Sequence, residues 1–491
     1  MPRNSAEADR TYDVVVVGNG SLGLSLGLTL ARDGLRVAVL GAPHRPWAAS
    51  SAAGAMIGVF GEVTKPLLTN DYGTTKLEWA YQASKLWPDW LAQLSPDSDG
   101  SDLLTAEGTV MLLNAVGVPG IDDDNYKAIR NTLITYDEKF EDIDPSELEW
   151  IDAEATARPI QAMFIPNEHS VNASELLVRL ELAFTAAGGT LVTELATRVD
   201  QRGDRVRGVE LESGSMLFSD NVVLAAGAAS QAMLDTVPEL AARIPRLVSG
   251  YGVSALVDTK DKSNPRSVIR TPNRAFACGL HVVPRGNGQV YVGATNTLSM
   301  DPLDTPPVAD VLFLMNCANR QVHRGLAEGG FRNIQVGNRP VSLDGMPLLG
   351  ATELDGLWMM TGTYRDGLTL SPLLAREMAA LIRDEETSVD LSMFQPVRPP
   401  IQPFTRDEVV AAAVMHMLAT GYEDGWSLPV EWPSTIEHHL RDAYTRTADE
   451  LDPTYTPPPE ILASLRVFPD LTKALREYYT ASRASSGSTT H

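Results

Sequence analysis

Gly18, Gly20 and Gly23 form a G-x-G-x-x-G pattern near the start of the chain. Such a turn binds a pyrophosphate when a strand leads into it and a helix leads out. The first glycine permits the tight turn, the second lets a phosphate reach the backbone, and the third lets the helix pack closely on the strand. The helix N-terminus, opened by Ser21 and Leu22, adds positive potential. Sites of this kind usually place Asp or Glu at the end of the second strand to hold the ribose hydroxyls, yet Gly41 stands there. His44 and Arg45 follow and would suit the 2′-phosphate of NADP, so the fingerprint alone leaves FAD and NADP both open. Metal chemistry has little support. The eight histidines are scattered, His438 and His439 point to opposite sides of any helix, and Cys278 and Cys317 read as small core residues in a reducing compartment.

The elements needed to position the glycine turn are present around it. The run Val14 to Val17 is too apolar to face water on either side, as expected of a central parallel strand. Residues 21–33 repeat apolar side chains at helical spacing until Gly34 stops the helix, and a second strand follows. Residues 73–150 read as an insertion, with a Trp-rich helix near 76–94, a strand near 109–113 and a polar helix near 126–140. A second αβ stretch ends in NVVLAAG. Alternating strands VSGYGVSALV, HVVPRG and QVYVGAT then predict an antiparallel sheet, and a helix is expected over 372–383. The proline-spaced QPVRPPIQPF reads as a linker into a helical C-terminal region interrupted by TPPPE, and no internal repeat is found.

A chain of 491 residues exceeds what one core usually serves, which favours two interlocked domains. A net charge of −23 excludes nucleic acid and anionic membrane as natural partners, since both require a basic surface. No apolar run reaches the roughly 18 residues that span a bilayer, and MPRNSAEADR lacks the apolar core of a signal peptide, so a cytoplasmic protein is expected.

Four further segments carry a family resemblance. AASSAAGAMIGVFGE (48–62) is rich in small residues that let backbone approach a flat cofactor. It resembles the S-x-A-A-A-G-M-L-x-x-x-x-E signature of the glycine oxidases of bacterial thiamine synthesis, within the D-amino-acid oxidase-like flavoproteins. Ala55, Met56 and Glu62 fall in register, although the family's Gly-Met is Ala-Met here. NVVLAAGAAS resembles the family's A-A-G turn. HVVPRGNGQVYVGAT resembles its Y-x-V-P-R hairpin. VGNRPVSLDGMPLLG with GTYRDGLTLSP resembles its R-P-x-x-x-D-G and G-H-x-R-N-G pair. The likeness covers about residues 11–390 and selects FAD over NADP.

The resemblance implies an α/β (α+β overall) fold in which a Rossmann-like FAD-binding domain (11–72, 155–235, 330–395) interleaves with an antiparallel-sheet substrate domain (73–154, 236–329). A helical extension (396–483) and flexible tails (1–10, 484–491) complete the chain. It implies oxidation of the C–N bond of an amino acid or related carboxylate-bearing amine by hydride transfer to flavin N5. The products would be an imine and, with oxygen, hydrogen peroxide. Arg339 and Arg365 match positions that grip the substrate carboxylate, a task suited to the planar guanidinium fork. His281 replaces a tyrosine that assists them. Cofactor contacts are expected from Gly18, Gly20, Ser21, Leu22 and Gly23 at the first turn, and from Ser50, Ser51, Ala53, Gly54, Ala55 and Met56 in the small-residue loop. Val199, Ala226 and Gly227 follow, then Gly362, Gly367, Leu368 and Thr369 before a helix whose N-terminus faces the flavin, with Arg339 and Arg365 beside them. Asp366 replaces the family's asparagine and brings a negative charge toward that end. Ser51 stands near the place of a linking histidine in covalent flavoproteins, and neither cysteine follows the D-G-M-P turn, so the FAD should be non-covalent.

The extension lies outside the resemblance. Its aromatic density favours packing against the body, the alternatives being a lid or a surface for a second copy or a carrier protein. Three rival functions are a dehydrogenase serving an acceptor other than oxygen, a flavin-binding subunit without its own catalysis, and an NADP-dependent reductase suggested by Gly41 and Arg45.

Overall fold

The structure is a computed structural model that describes residues 11–45 and 47–487. The expected tail 1–10 and the last four residues of the expected tail 484–491 lie outside the described residues, while residues 484–487 continue the helix Pro469–Gly487.

Val14–Val17 is the middle of a six-stranded sheet, flanked by Val37–Leu40 and Val222–Leu224 in parallel. Thr190–Val192 and Leu357–Thr361 extend it in parallel, and Leu348–Ala351 closes one edge antiparallel. Alternation of side chains divides the valines between two cores. Val14, Val16, Val37 and Val39 pack under the helices Ser21–Arg32, Ala173–Ala186 and Ser371–Ile382, while Val15, Val17 and Leu40 pack under a three-stranded sheet of residues 196–218. Gly27 brings the first helix close, since a Cβ there would lie 2.5 Å from Val39.

The second sheet has nine strands and is mostly antiparallel. Leu247–Asp258 is its spine. Gly330–Ser342 occupies one edge of that strand along its whole length, so Gln289–Gly293 and Thr297–Ser299 share the other. His281–Gly286, Val268–Arg270, Thr109–Asn114, Pro159–Ile165 and Glu141–Ile143 continue the sheet. Two of these strands move the expected boundaries: Pro159–Ile165 and Gly330–Ser342 pair here, although residues 155–235 and 330–395 were assigned to the other domain. A strand is claimed by the partner that satisfies its backbone groups, which local composition does not reveal.

Two C-terminal helices, Arg406–Glu423 and Trp432–Leu451, pack with Pro459–Ser464 on Val248, Leu298, Val341 and Tyr364 of the body. The proline-spaced connection into them is anchored. Arg398, 4% exposed, donates Nε to Asp344 Oδ2 at 2.9 Å and Nη2 to Oδ1 at 2.8 Å. No helix among the described residues is long and apolar enough to cross a membrane.

Candidate active site

One cavity of about 700 Å³ runs from the glycine turn, past the small-residue loop, to the inner end of the large sheet. At the turn the fingerprint glycines are sterically fixed. A Cβ on Gly18 would lie 2.4 Å from the Ala225 carbonyl oxygen, and one on Gly23 would lie 1.9 Å from that of Gly18. The amides of Asn19, Gly20 and Leu22 meet no acceptor among the described residues, and that of Ser21 meets only Ser50 Oγ at 3.1 Å. This is an anion cradle at a helix start. The space at Gly41, where an acid was absent, is filled by Asn19: its carboxamide lies 2.2 Å from where a Gly41 Cβ would be and donates to the Ala42 carbonyl at 2.9 Å. Arg45 lines the cavity but is engaged by Glu181, which leaves it unsuited to hold a 2′-phosphate.

The small-residue loop is suspended from the large sheet by its carbonyls. Tyr291 donates to Ala52 O at 3.0 Å, and Arg285 to Gly54 O at 3.2 Å. Burial pushes the Arg285 guanidinium down to about 10, and it has no carboxylate partner among the described residues. Ala55 sits at φ +54°, in the left-handed region that favours glycine, at the position where the resembled signature has one.

At the inner end, register places Arg339 opposite Gly250, and Gly252 leaves room for it, since a Cβ there would lie 2.3 Å from Arg339 Nη1. Arg339 donates to Asn296 Oδ1 (3.0 Å), Thr295 O (3.2 Å) and Gly250 O (3.4 Å), all neutral acceptors. Arg365 lies over the Tyr364 ring at 5.0 Å and 3.8 Å from Cys278 Sγ. Burial opposes its charge, but Cys278, Tyr364, Glu62 and Asp366 together raise its pKa. Glu62 also reaches the cavity. Burial alone would raise its carboxyl, but Arg270, bonded at 2.6 Å, with Arg365 and Asn273 holds it at about 2.

His281 is 3% exposed and stacks on Tyr291, with Nδ1 2.9 Å from the Gly279 carbonyl. A carbonyl accepts only, so the proton resides on Nδ1 and Nε2 is left as an acceptor, beside Gly54 and Gly293. Burial pushes its pKa down to about 4, so the ring is neutral near pH 7. Asp366 does not bring a free charge: Lys76 Nζ meets it at 2.8 Å. The amides of Gly367, Leu368 and Thr369 have no acceptor among the described residues and precede the Ser371–Ile382 helix, which starts one residue earlier than expected.

The cavity brings together Gly18, Gly20, Ser21, Leu22, Ser50, Ala53, Gly54, Ala55, Met56, Ala226 and Gly227 with His281, Arg339, Arg365, Gly367, Leu368 and Thr369. Gly23, Ser51, Val199 and Gly362 do not line it. Gly23 packs the helix on its strand, and Val199 is in the core beneath the three-stranded sheet, leaving Leu195, Ala196 and Thr197 to face the cavity. Cys278, expected in the core, is half-buried on the cavity wall. Sequence reasoning missed Asn19, Arg270 and Arg285 as positioning residues. The glutamate ending the small-residue signature and the arginine of the V-P-R hairpin were the available signals.

The site fits an FAD: a row of glycine and small residues, free amides at both helix starts, and cations at the far end. The FAD dependent oxidoreductase family matches residues 13–381. A glycine oxidase of Geobacillus kaustophilus is 29% identical over 402 residues, covering 79% of this chain and 97% of the relative. One of Pseudomonas aeruginosa is 26% identical over 390 residues, covering 78% and 98%. The crystal structure of glycine oxidase from Geobacillus kaustophilus superposes with a TM-score of 0.68 at 26% identity, over 79% of this chain and 99% of that one. With the family matched across the strands and turns that form the cavity, the chain belongs to the FAD-dependent oxidoreductases and is an enzyme of amino-acid oxidase type.

Proposed function

We propose that the cavity holds FAD non-covalently and that the enzyme oxidises the C–N bond of a carboxylate-bearing amine to the imine, with molecular oxygen reduced to hydrogen peroxide. The observation that carries this reading is Arg339, a cavity-lining guanidinium whose hydrogen bonds go only to neutral acceptors, with no carboxylate within 4.0 Å among the described residues. A positive charge so placed favours an anionic ligand, and a carboxylate matches its fork.

Arg339 would fix the substrate carboxylate, with Arg365 adding positive potential from the next turn. His281 Nε2, a neutral acceptor, would take a hydrogen bond from the substrate amine and orient its nitrogen lone pair without holding the proton. Ser21, Leu22 and the Asn19 amide would bind the pyrophosphate, while the Asn19 carboxamide occupies the place of the usual ribose-binding acid. The amides of Gly367 to Thr369 would stabilise negative charge at the ring end. Bound there, FAD supplies the two-electron acceptor. The oxidase chemistry named for the relatives supports oxygen as the final acceptor.

The test is an anaerobic screen of the purified flavoprotein with glycine, N-alkyl glycines and both enantiomers of larger amino acids, followed by admission of air and assay of peroxide. Bleaching by at least one of these and stoichiometric peroxide are expected. A yellow protein that none of them reduces would defeat the reading, and reduction without peroxide would reassign the acceptor.

A further inference from the structure

A second cavity, of about 450 Å³, lies between the start of the Asp71–Leu94 helix and the C-terminal extension. It backs onto the carboxylate end of the first. Glu62 lines the first and Thr64 the second, Cys278 the first and Ala275 the second, and the Lys76–Asp366 ion pair joins the two at 2.8 Å. Its walls are mainly apolar, with Ile401, Phe404 and Met415 contributed by the extension.

Six charged side chains reach this cavity, and five of them are matched. Lys65 pairs with Asp124, Lys76 with Asp366 and Asp344 with Arg398, while Glu408 is taken up in capping its own helix at Thr405. Glu460 is the sixth. It is 7% exposed, has no cation within 4.0 Å among the described residues, and receives a hydrogen bond only from its own backbone N–H. Burial pushes the Glu460 carboxyl up, with only the more distant Arg365 and Lys76 as cations favouring its charge, and a ligand that brings a cation into contact would favour the carboxylate form.

We propose that the second cavity binds an aliphatic ammonium, with its apolar stem against Ile401, Phe404 and Met415 and its charged end on Glu460. The ammonium is either the far end of the substrate, reaching through the Lys76–Asp366 wall, or a separate amine. Binding as such does not depend on the oxidase reading, whereas the first source rests on it.

Calorimetric titration of the full-length flavoprotein with n-hexylammonium, which lacks a carboxylate, tests the site directly. Saturable binding is expected, weakened at least tenfold in Glu460→Gln and lost in Ala412→Trp, which fills the cavity; flavin absorbance reports that each variant has folded. Absence of binding to the unmodified enzyme, or equal affinity in Glu460→Gln, overturns the proposal. A second arm identifies the source. If amino acids of ornithine or lysine length reduce the flavin with a KM that rises in Glu460→Gln, the ammonium is the substrate's own. If hexylammonium binds by the same criteria but chain length leaves KM unaffected, it is a separate ligand. Failure of every amine to reduce the flavin would defeat the oxidase reading and leave the calorimetry to decide the site.

Discussion

Ala55 shows how a single position can run against its own backbone. At φ +54° an alanine carries strain that glycine does not, roughly 1 to 2 kcal/mol, against which glycine's extra unfolded-state freedom costs about 0.4 to 1 kcal/mol. Ala55→Gly should therefore raise stability by about 1 kcal/mol, read as a higher midpoint in denaturant. His281 makes a different prediction. Its folded pKa of about 4 lies below the ordinary 6.5, so the unfolded chain takes up a proton that the native site refuses. Stability is whole above pH 6.5 and is lost as pH falls toward 4, by on the order of 3 kcal/mol. His281→Phe, which cannot titrate, should lack this component, and parallel wild-type and variant denaturation curves across that window would remove it. At this scale the sequence was partly legible. Arg339, Arg365 and His281 sat in recognisable motifs and share the cavity, whereas Asn19 did not stand out, because its role depends on the empty space at Gly41 across the turn.

Local periodicity disclosed the elements well, because each of the main ones is written in contiguous residues. The Val14–Val17 strand, the Ser21–Arg32 helix and the His281–Gly286 and Gln289–Gly293 hairpin appear where the pattern placed them. Partnership was less legible. Gly330–Ser342 pairs with Leu247–Asp258 across a long gap in sequence, and nothing in its composition announces which sheet it joins. The connection after residue 395 reads from its prolines only as a linker, and how firmly it is held was not legible in the sequence. The Arg398–Asp344 pair makes it a fixed strap, holding the D-G turn of the body to the first residues of the extension. Arg398→Ala leaves Asp344 buried and uncompensated and should cost about 3 to 5 kcal/mol, measured by chemical denaturation of the flavoprotein. Replacing both by apolar residues of similar volume should cost much less than Arg398→Ala alone.

On the scale of the whole molecule, two sheets converge on one cavity, and an added helical cap supplies part of a second. The extension shares a core with Val248, Val341 and Tyr364, so a chain ended at residue 395 exposes that face and should be recovered mainly as aggregate rather than as a flavin-loaded monomer. How the cap seats on the body was beyond the sequence, because the contact is formed by residues spread from Val248 to Tyr479 whose only common property is apolarity. The central claim is that an unpaired arginine selects a carboxylate-bearing amine for oxidation by FAD. It is tested most directly by anaerobic flavin reduction with the best amine acid from the screen and with the same amine lacking its carboxylate, in wild type and Arg339→Ala. The wild type should be reduced efficiently only by the acid, and Arg339→Ala should keep its flavin while losing about 2 to 4 kcal/mol of transition-state binding, roughly 30- to 1000-fold in kcat/KM. Equal reduction by the amine without its carboxylate, or unchanged kinetics in Arg339→Ala, would contradict the account.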